Sequence, residues 1–253
     1  MRPLLAIETS GPSLGVALRG EAGLLFSENV TAGSIHGRAL LPLIEKALSA
    51  HGLKPRGLEA VAVSLGPGSW TGLRIGISAA KALAWGAQIG IVGVPSFEAL
   101  ARDAAARAPD HARLTLRDGR NGWQFCALFG ETSPAPERWI AEGVLEHAEL
   151  LGKVDAALAA HPRVPVALCG DAVSLQALAA DAAARNWTVL HGCEHISAAS
   201  LAECGWQRLL RGEVERTTAG IHRLAPLYLR ASGPELKLQA QQSAVGRASL
   251  PGQ

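Results

Sequence analysis

Apolar positions change their spacing several times in the first half of the chain. Short apolar runs predict strands at residues 4–8, 16–19, 24–30, 58–66 and 91–94. From Ser34 to His51 and from Trp70 to Ile89, apolar residues instead recur every three or four positions, which is the period of an α-helix. Ser96 is expected to cap a third helix that reaches about Arg107. The predicted order is therefore strand, strand, strand, helix, strand, helix, strand, helix.

The same order is predicted again in the second half. Strands are expected at residues 113–117, 123–129, 138–142, 164–169 and 187–190, and helices at 146–160, 174–185 and 198–210. Asn121-Gly122, between the first two of these strands, is a hairpin signal. The halves share no obvious sequence, so the repeat lies in the order of elements.

This repeated order predicts an α/β fold with two similar lobes. Three strands able to pair antiparallel, followed by strands reached through helices, give a mixed sheet with helices on both faces. Two such βββαβαβα units are typical of the actin-like (ASKHA) superfamily, which includes sugar kinases and Hsp70. We predict an N-terminal lobe at 1–108, a C-terminal lobe at 109–230 and a mobile polar tail at 231–253.

The amino-acid composition limits the classes of protein to which the chain can belong. Of 253 residues, 48% are hydrophobic and 18% are charged, and the formal net charge is +2, so we expect a packed core and no strongly basic surface for nucleic acid. The cysteines are scattered without a C-x-x-C pair, which is typical of thiols in a reducing compartment. No apolar run is long enough to span a membrane, so the sequence predicts a soluble, cytoplasmic protein.

The turn GPGSWTG, which starts at Gly66, has two interpretations. It lacks the lysine of a Walker A loop, and its third glycine comes one position late for G-x-G-x-x-G. The favoured interpretation is a turn that caps a helix, with a positive φ at Gly68 and Ser69 accepting a first-turn N–H. The alternative is an anion held at the helix N-terminus by Gly66, Gly68, Ser69 and Arg74.

One side of the helix at 70–89 carries only small side chains. This ridge consists of Gly72, Gly76, Ala80 and Ala84, spaced four residues apart. Backbones can approach such a ridge closely. Larger apolar residues lie on the other sides, so the helix needs cover on two sides. The sheet buries one side of the helix, and the other side is buried either by the helix at 34–51 or by a second chain.

Several segments together resemble the TsaB family, which comprises bacterial partner subunits in the synthesis of threonylcarbamoyladenosine on tRNA. In the first lobe they are LLAIETS at the N-terminus, HGRALLPLIEKAL in the first helix and GPGSWTGLRIGISAAKALA after the fourth strand. In the second lobe, DGR at Asp118–Arg120 and APLYLR at Ala225–Arg230 match in patches.

The resemblance implies a subunit without catalytic residues, metal or ATP of its own. The implied partners are a TsaD-type paralogue, which carries the metal and transfers the threonylcarbamoyl group, and a TsaE-type ATPase. The tRNA is contacted through the complex. TsaB-like chains pair with TsaD, or with themselves, through the first two helices. The implied interface residues are Leu40, Leu41, Ile44, Gly72, Leu73, Gly76, Ile77, Ala80, Leu83 and Ala84.

Two histidine patterns bear on metal binding. TsaD-type proteins use an H-x-x-x-H pair on the first helix, but here His36 is followed by Leu40, so no metal is expected there. A second pair, His191 and His195 with Cys193 between them, falls in a predicted loop. A loop does not place such residues on one side as a helix does, so a polar loop is favoured over a zinc or iron site.

The alternative function is a stand-alone ATP-dependent small-molecule kinase of the same superfamily. Its phosphate loops would be ETSGPSLG, where Glu8 replaces the Asp of such kinases, and LCGDAVS, with Gly170 and Asp171. This alternative predicts ATP binding that is lost in Asp171→Ala. A serine hydrolase is not supported, because Ser69 lacks the G-x-S-x-G spacing.

Overall fold

The computed structural model describes residues 1–31, 36–132 and 136–230, and it contains two five-stranded sheets. The strands are β1 (Leu4–Glu8), β2 (Ser13–Gly20), β3 (Gly23–Thr31), β4 (Ala60–Ser64), β5 (Gly90–Val94), β6 (Ala112–Asp118), β7 (Trp123–Thr132), β8 (Pro136–Glu146), β9 (Val166–Gly170) and β10 (Thr188–Val189). The helices are α1 (His36–Ser49), α2 (Trp70–Ala87), α3 (Ser96–Ala105), α4 (His147–Ala159), α5 (Ala172–Ala177), α6 (Ala179–Ala184), α7 (Ala198–Leu210) and α8 (Thr218–Arg223), with a short 3-10 turn at Pro55–Gly57. The predicted tail at 231–253 and the predicted helix start at Ser34 lie outside the described residues.

The two sheets have the same topology, which confirms the predicted two-lobed α/β fold. Their strand orders are β3-β2-β1-β4-β5 and β8-β7-β6-β9-β10. β1 pairs antiparallel with β2 and parallel with β4, and β6 pairs in the same two ways with β7 and β9. The predicted hairpin joins β6 to β7, with Asn121 at φ 55° and Gly122 at φ 81°. Each lobe is thus a mixed sheet whose first three strands form an antiparallel meander.

The second half departs from the predicted pattern at two places. The helix expected at 174–185 is split into α5 and α6, because the backbone at Leu178 leaves helical values, with φ −99° and ψ 5°. An alanine-rich sequence marks no such break with glycine or proline. A further short helix, α8, follows α7 and precedes the segment Leu224–Arg230.

The last long helix of each half packs on the sheet of the other half. α3 contacts β6, β7 and β9, whereas α7 contacts β1, β2 and β4. Both helices contribute to one apolar core between the sheets, with Phe97 and Leu100 from α3 and Leu201 and Trp206 from α7. α7 lies close to the first sheet, because a Cβ on Gly205 would be 2.5 Å from the Ala62 Cβ. The lobe boundary near residue 108 stays a prediction.

The outer faces of the two sheets are covered by the remaining helices. α1 and α2 pack on the first sheet, where Leu40, Ile44 and Ile77 meet Leu5 and Ile7 of β1. α4, α5 and α6 bury apolar residues against the second sheet. None of the described helices combines the length and apolar composition that crossing a membrane requires.

Candidate functional site

A cleft of about 800 Å³ lies where the two lobes meet. Most of its lining comes from four segments, which are the loop after β1 (10–12), the glycine turn (67–71), the DGR turn (118–120) and the C-terminal segment (227–230), and the rest is Leu73, Arg117 and Phe125. These segments are far apart in the sequence. Each of them lies in or directly beside a stretch that carries the family resemblance, so those stretches converge on one place in the fold.

The glycine turn is held by hydrogen bonds within the chain. The Ser69 N–H donates to the Ser10 carbonyl at 2.7 Å, and the Ser69 Oγ accepts from the Gly72 N–H at 3.2 Å. The capping interpretation of Ser69 is therefore confirmed. The positive φ lies at Gly66, at 105°, and not at Gly68 as predicted. Gly68 is required for another reason, since a Cβ there would lie 2.4 Å from the Ser10 carbonyl oxygen.

The same bonds count against a simple anion site at this turn. The Gly66 N–H donates to the Ser96 Oγ at 3.1 Å, and the Ser69 N–H is bonded to Ser10. Two of the amides proposed to hold an anion are thus already used. Arg74 is not among the residues that line the cleft, and its guanidinium carbon lies 4.0 Å from the centroid of the Trp70 ring.

Glu8 and Arg117 both bond to Ser10 in the loop after β1, and Arg117 lines the cleft. The Glu8 side chain is buried, and its Oε1 accepts a hydrogen bond from the Ser10 N–H at 2.5 Å. Burial raises the pKa of Glu8 and so favours the protonated form. The carboxyl that would orient a metal in a kinase is enclosed by the chain here, and it is not among the residues that line the cleft. Arg117 donates from Nη1 to the Ser10 carbonyl at 2.7 Å, and it keeps its charge although burial lowers its pKa.

Asp171 positions the DGR turn. Its carboxylate caps α5 by accepting from the Ser174 N–H at 3.0 Å, and it also accepts from the Asp118 N–H at 2.7 Å. The neighbouring Gly170 is required by close packing, because a Cβ there would lie 2.2 Å from the Leu116 carbonyl oxygen. The residues assigned to a kinase phosphate loop thus have structural partners within the chain.

The cleft wall is basic. Arg117, Arg120 and Arg230 line it, whereas Asp118 is the one carboxylate among its described lining residues. The Asp118 Oδ1 accepts from the Arg120 N–H at 2.8 Å, and Arg230 donates from Nη1 to the Gly119 carbonyl at 2.8 Å. The C-terminal segment is thereby tied to the DGR turn across the cleft.

Two aromatic rings lie at the edge of the cleft. The centroids of Trp70 and Tyr228 are 4.6 Å apart and their planes are tilted by 36°. Trp70 is 46% exposed and Tyr228 is 51% exposed. Sequence reasoning did not assign a role to these rings or to the three arginines. The DGR and APLYLR patches were the available signal, since they contain Arg120, Tyr228 and Arg230.

The small-residue ridge of α2 faces the inside of its own lobe, which corrects its prediction as a contact with another chain. A Cβ on Gly72 would lie 2.0 Å from the Thr9 carbonyl oxygen, and one on Gly76 would lie 2.2 Å from the Thr9 Oγ1. Six more residues of the predicted interface are also buried within the chain: Leu40, Ile44, Leu73, Ile77, Ala80 and Ala84. Leu41 is 64% exposed and Leu83 is half-buried, so these two remain available to a partner.

The second histidine pattern does not converge on one point. Cys193 is buried, and burial raises the pKa of its thiol, whereas His191 and His195 are exposed. Arg107 fixes this loop by donating to the carbonyls of His191 and Gly192 at 2.6 and 3.3 Å. No group of three or more His, Cys, Asp or Glu residues in the described parts of the chain is arranged to hold a metal.

Two similar mixed sheets with a cleft between them define a two-lobed protein of the actin-like class. The chain belongs to the tRNA N6-adenosine threonylcarbamoyltransferase (TsaD) family, whose model matches residues 30–238.

Individual relatives confirm the resemblance to TsaB. The Bacillus subtilis tRNA threonylcarbamoyladenosine biosynthesis protein TsaB is 29% identical over 239 residues, which cover 92% of this chain and 96% of that protein. The Haemophilus influenzae TsaB is 37% identical over 103 residues, which cover 40% of this chain and 42% of that protein. A Pseudomonas aeruginosa structure described as similar to the peptidase YeaZ has a TM-score of 0.76 at 23% identity, covering 91% of this chain and all of that one, and it supports the fold.

Proposed function

We propose that this chain is a partner subunit in the formation of threonylcarbamoyladenosine on tRNA. It binds and activates a TsaD-type catalytic subunit and performs no catalysis alone. The observation that carries the proposal is the similarity to a TsaB protein along 92% of the chain. In this proposal the metal and ATP belong to the TsaD-type and TsaE-type partners, and tRNA is contacted through the complex.

The outer face of α1 and α2 supports a pairing role. We define this outer face as Leu41, Ile75, Ala79, Ala82 and Leu83, which are exposed or half-buried. Beside it, a depression of about 390 Å³ lies between α2 and the 3-10 turn at Pro55–Gly57. Apolar side chains gathered on one exposed face are typical of a protein–protein contact. The outer face therefore replaces the buried ridge as the proposed surface for TsaD and for self-pairing.

The experiment is light scattering of the full chain, alone and mixed with the TsaD-type protein of the same genome. We expect a homodimer that exchanges into a one-to-one heterodimer. Leu41→Glu and Ala82→Glu should weaken both pairings at least tenfold, because a charge would be buried in an apolar contact without a partner. Their thermal unfolding should stay close to wild type, since both sites are solvent-exposed in the single chain.

Val173→Glu is the matched control, because Val173 is 58% exposed on α5, away from the outer face. It should pair as the wild type does. In a reconstituted reaction with TsaD, TsaE, tRNA and an activated threonylcarbamoyl donor, the control should also support threonylcarbamoyl transfer and the outer-face variants should not. The proposal would be contradicted if the wild-type chain did not bind TsaD, or if the outer-face variants paired as the wild type does.

A further inference from the structure

A second pocket, of about 430 Å³, lies in the second lobe and shares no lining residue with the cleft. It is formed by α5 and α6 on one side and by β10 and the loop after β10 on the other. Its volume is at the small end of the range for pockets that hold small molecules. None of its lining residues belongs to the outer face, so pairing through α1 and α2 does not account for it.

Most of the pocket wall is apolar. It consists of four alanines of α5 and α6 together with Leu175, Trp187 and Val189. The indole of Trp187 is held from outside the pocket by Arg185, whose guanidinium carbon lies 5.3 Å from the ring centroid. Arg185 is in turn paired with Asp155 at 3.2 Å and with Asp181 at 3.1 Å. The apolar wall is therefore fixed, and the nearby cation is already neutralised.

The polar part of the pocket wall contains a single carboxylate. It consists of Gln176, His191 and Glu194. Glu194 is half-buried, and no hydrogen bond or ion pair joins its carboxylate to any of the residues that the structure describes. The guanidinium of Arg107 does not compensate it, because that group donates to the carbonyls of His191 and Gly192 at 2.6 and 3.3 Å. The pocket thus combines an apolar wall with an unpaired negative charge.

This combination selects the charge of a ligand. A carboxylic acid or a phosphate would place negative charge beside Glu194. An uncharged apolar molecule would remove water from the carboxylate and give it no partner in return. A protonated amine supplies both a counter-charge and N–H donors. A metal ion is not favoured, because the described parts of the chain contain no cluster of three potential ligands.

We propose that this pocket binds a small primary amine with an aromatic body. The ammonium group pairs with Glu194, and the body packs against the alanines and Leu175. A flat ring suits the indole of Trp187, since aromatic rings pack well against one another. The inference goes beyond the partner role proposed above and does not depend on it.

The test is a ligand-observed NMR titration of the full chain with three probes of similar shape, which are phenethylamine, phenethyl alcohol and hydrocinnamate. At neutral pH the amine is protonated, as a lysine side chain is. We expect phenethylamine to bind with a dissociation constant of about one millimolar, because it has few atoms. The alcohol should bind roughly tenfold more weakly, since it keeps the ring and loses the charged donor. Hydrocinnamate should not bind measurably.

Two variants separate the charge from the cavity. Glu194→Gln removes the charge and keeps the shape, so it should weaken phenethylamine binding roughly tenfold and leave the alcohol unchanged. Ala183→Leu fills the pocket and should abolish binding of both probes. The matched controls are Glu146→Gln and Ala180→Leu, at exposed residues of the second lobe outside the pocket. All four variants should unfold thermally as the wild type does, since none of the four residues is fully buried.

Three results of these titrations would overturn the proposal. They are the absence of phenethylamine binding at about ten millimolar, equal affinity for the amine and the alcohol, and equal binding by Ala183→Leu and its control. A peptide that contains one lysine is the final competitor. If it displaces phenethylamine at a far lower concentration than butylamine does, the pocket takes a protein side chain, and the small-molecule assignment is wrong. Displacement no better than by butylamine supports the assignment.

Discussion

Glu8 has a different role in the structure from the role that its position in the sequence suggests. It ends β1 at the position where related kinases have a metal-orienting aspartate, and the sequence alone allows that role. In the structure its carboxyl is buried and bonded to the Ser10 N–H, and burial raises its pKa. Its role is therefore to fix the loop after β1, which lines the cleft.

The pH dependence of stability tests this assignment. Between the unfolded pKa of about 4.5 and the raised folded pKa, the unfolded chain loses a proton that the folded chain keeps. Folding is thus penalised increasingly as pH rises above about 4.5, by up to about 1.36 kcal/mol per pH unit. Because Glu8→Gln cannot ionise, its free energy of unfolding should increase relative to that of the wild type as pH rises above about 4.5, and the difference should level off once pH passes the raised folded pKa of Glu8.

Urea unfolding of both proteins at several pH values measures this difference directly, because contributions of the other titrating groups cancel. A difference that is constant with pH would mean that Glu8 ionises equally in both states. A difference that falls with pH would mean that the folded state stabilises the charged form.

At the scale of elements, α2 separates what hydrophobic periodicity can predict from what it cannot. The spacing of apolar residues predicted the helix, the serine before it predicted the Ser69 cap, and the four-residue spacing of Gly and Ala identified the ridge. It could not tell whether the ridge meets the chain's own backbone or another chain, because both need the same small side chains. Thr9 directly follows β1 and is distant in sequence from α2, so only the folded lobe reveals the contact.

Substitutions at glycines of α2 should differ according to what each added methyl meets. Gly72→Ala places Cβ 2.0 Å from the Thr9 carbonyl oxygen, whereas Gly76→Ala places it 2.2 Å from the Thr9 Oγ1. Each should destabilise the chain by about 1–3 kcal/mol through overpacking. Thr9→Ala removes the hydroxyl and should recover part of the loss in the Gly76 variant, but it cannot move the carbonyl that opposes the Gly72 variant.

Gly86→Ala is the control on the same helix, because no atom lies within 4 Å of a Cβ built there. It should stabilise the chain by about 0.5–1 kcal/mol, since alanine restricts the unfolded chain more than glycine does. Thermal or urea unfolding of the single and double variants measures all three effects. Equal losses at Gly72 and Gly86, or rescue of Gly72→Ala by Thr9→Ala, would contradict the packing described here.

At the scale of the whole molecule, the repeated order of elements predicted the two sheets, but it gave no sign that α3 and α7 exchange sheets. An amphipathic pattern shows which side of a helix is buried and not which surface buries it. The cleft as a whole could not be predicted from the sequence either, because the four main segments that line it meet only after both lobes have folded. Family signatures marked the segments individually.

This exchange predicts that the N-terminal lobe is not stable alone. A fragment of residues 1–108 lacks α7 and so exposes Leu4, Ala62 and Val92 on one face of its sheet. We expect it to unfold without a cooperative thermal transition and to bind hydrophobic dyes. Addition of a peptide covering residues 195–212 should restore part of the helical circular dichroism. A cooperative transition of the fragment alone would show that α3 suffices to cover that face.

The exchanged helices also set the order of events during synthesis on the ribosome. The first sheet can pair its strands once β5 has emerged, but one face of it stays uncovered until α7 leaves the exit tunnel about a hundred residues later. At about 5–20 residues per second, this takes roughly 5–20 seconds. During that interval the nascent chain exposes an apolar face of its first sheet, which only its own later residues can cover. A ribosome-associated chaperone could bind this exposed face until α7 packs on it.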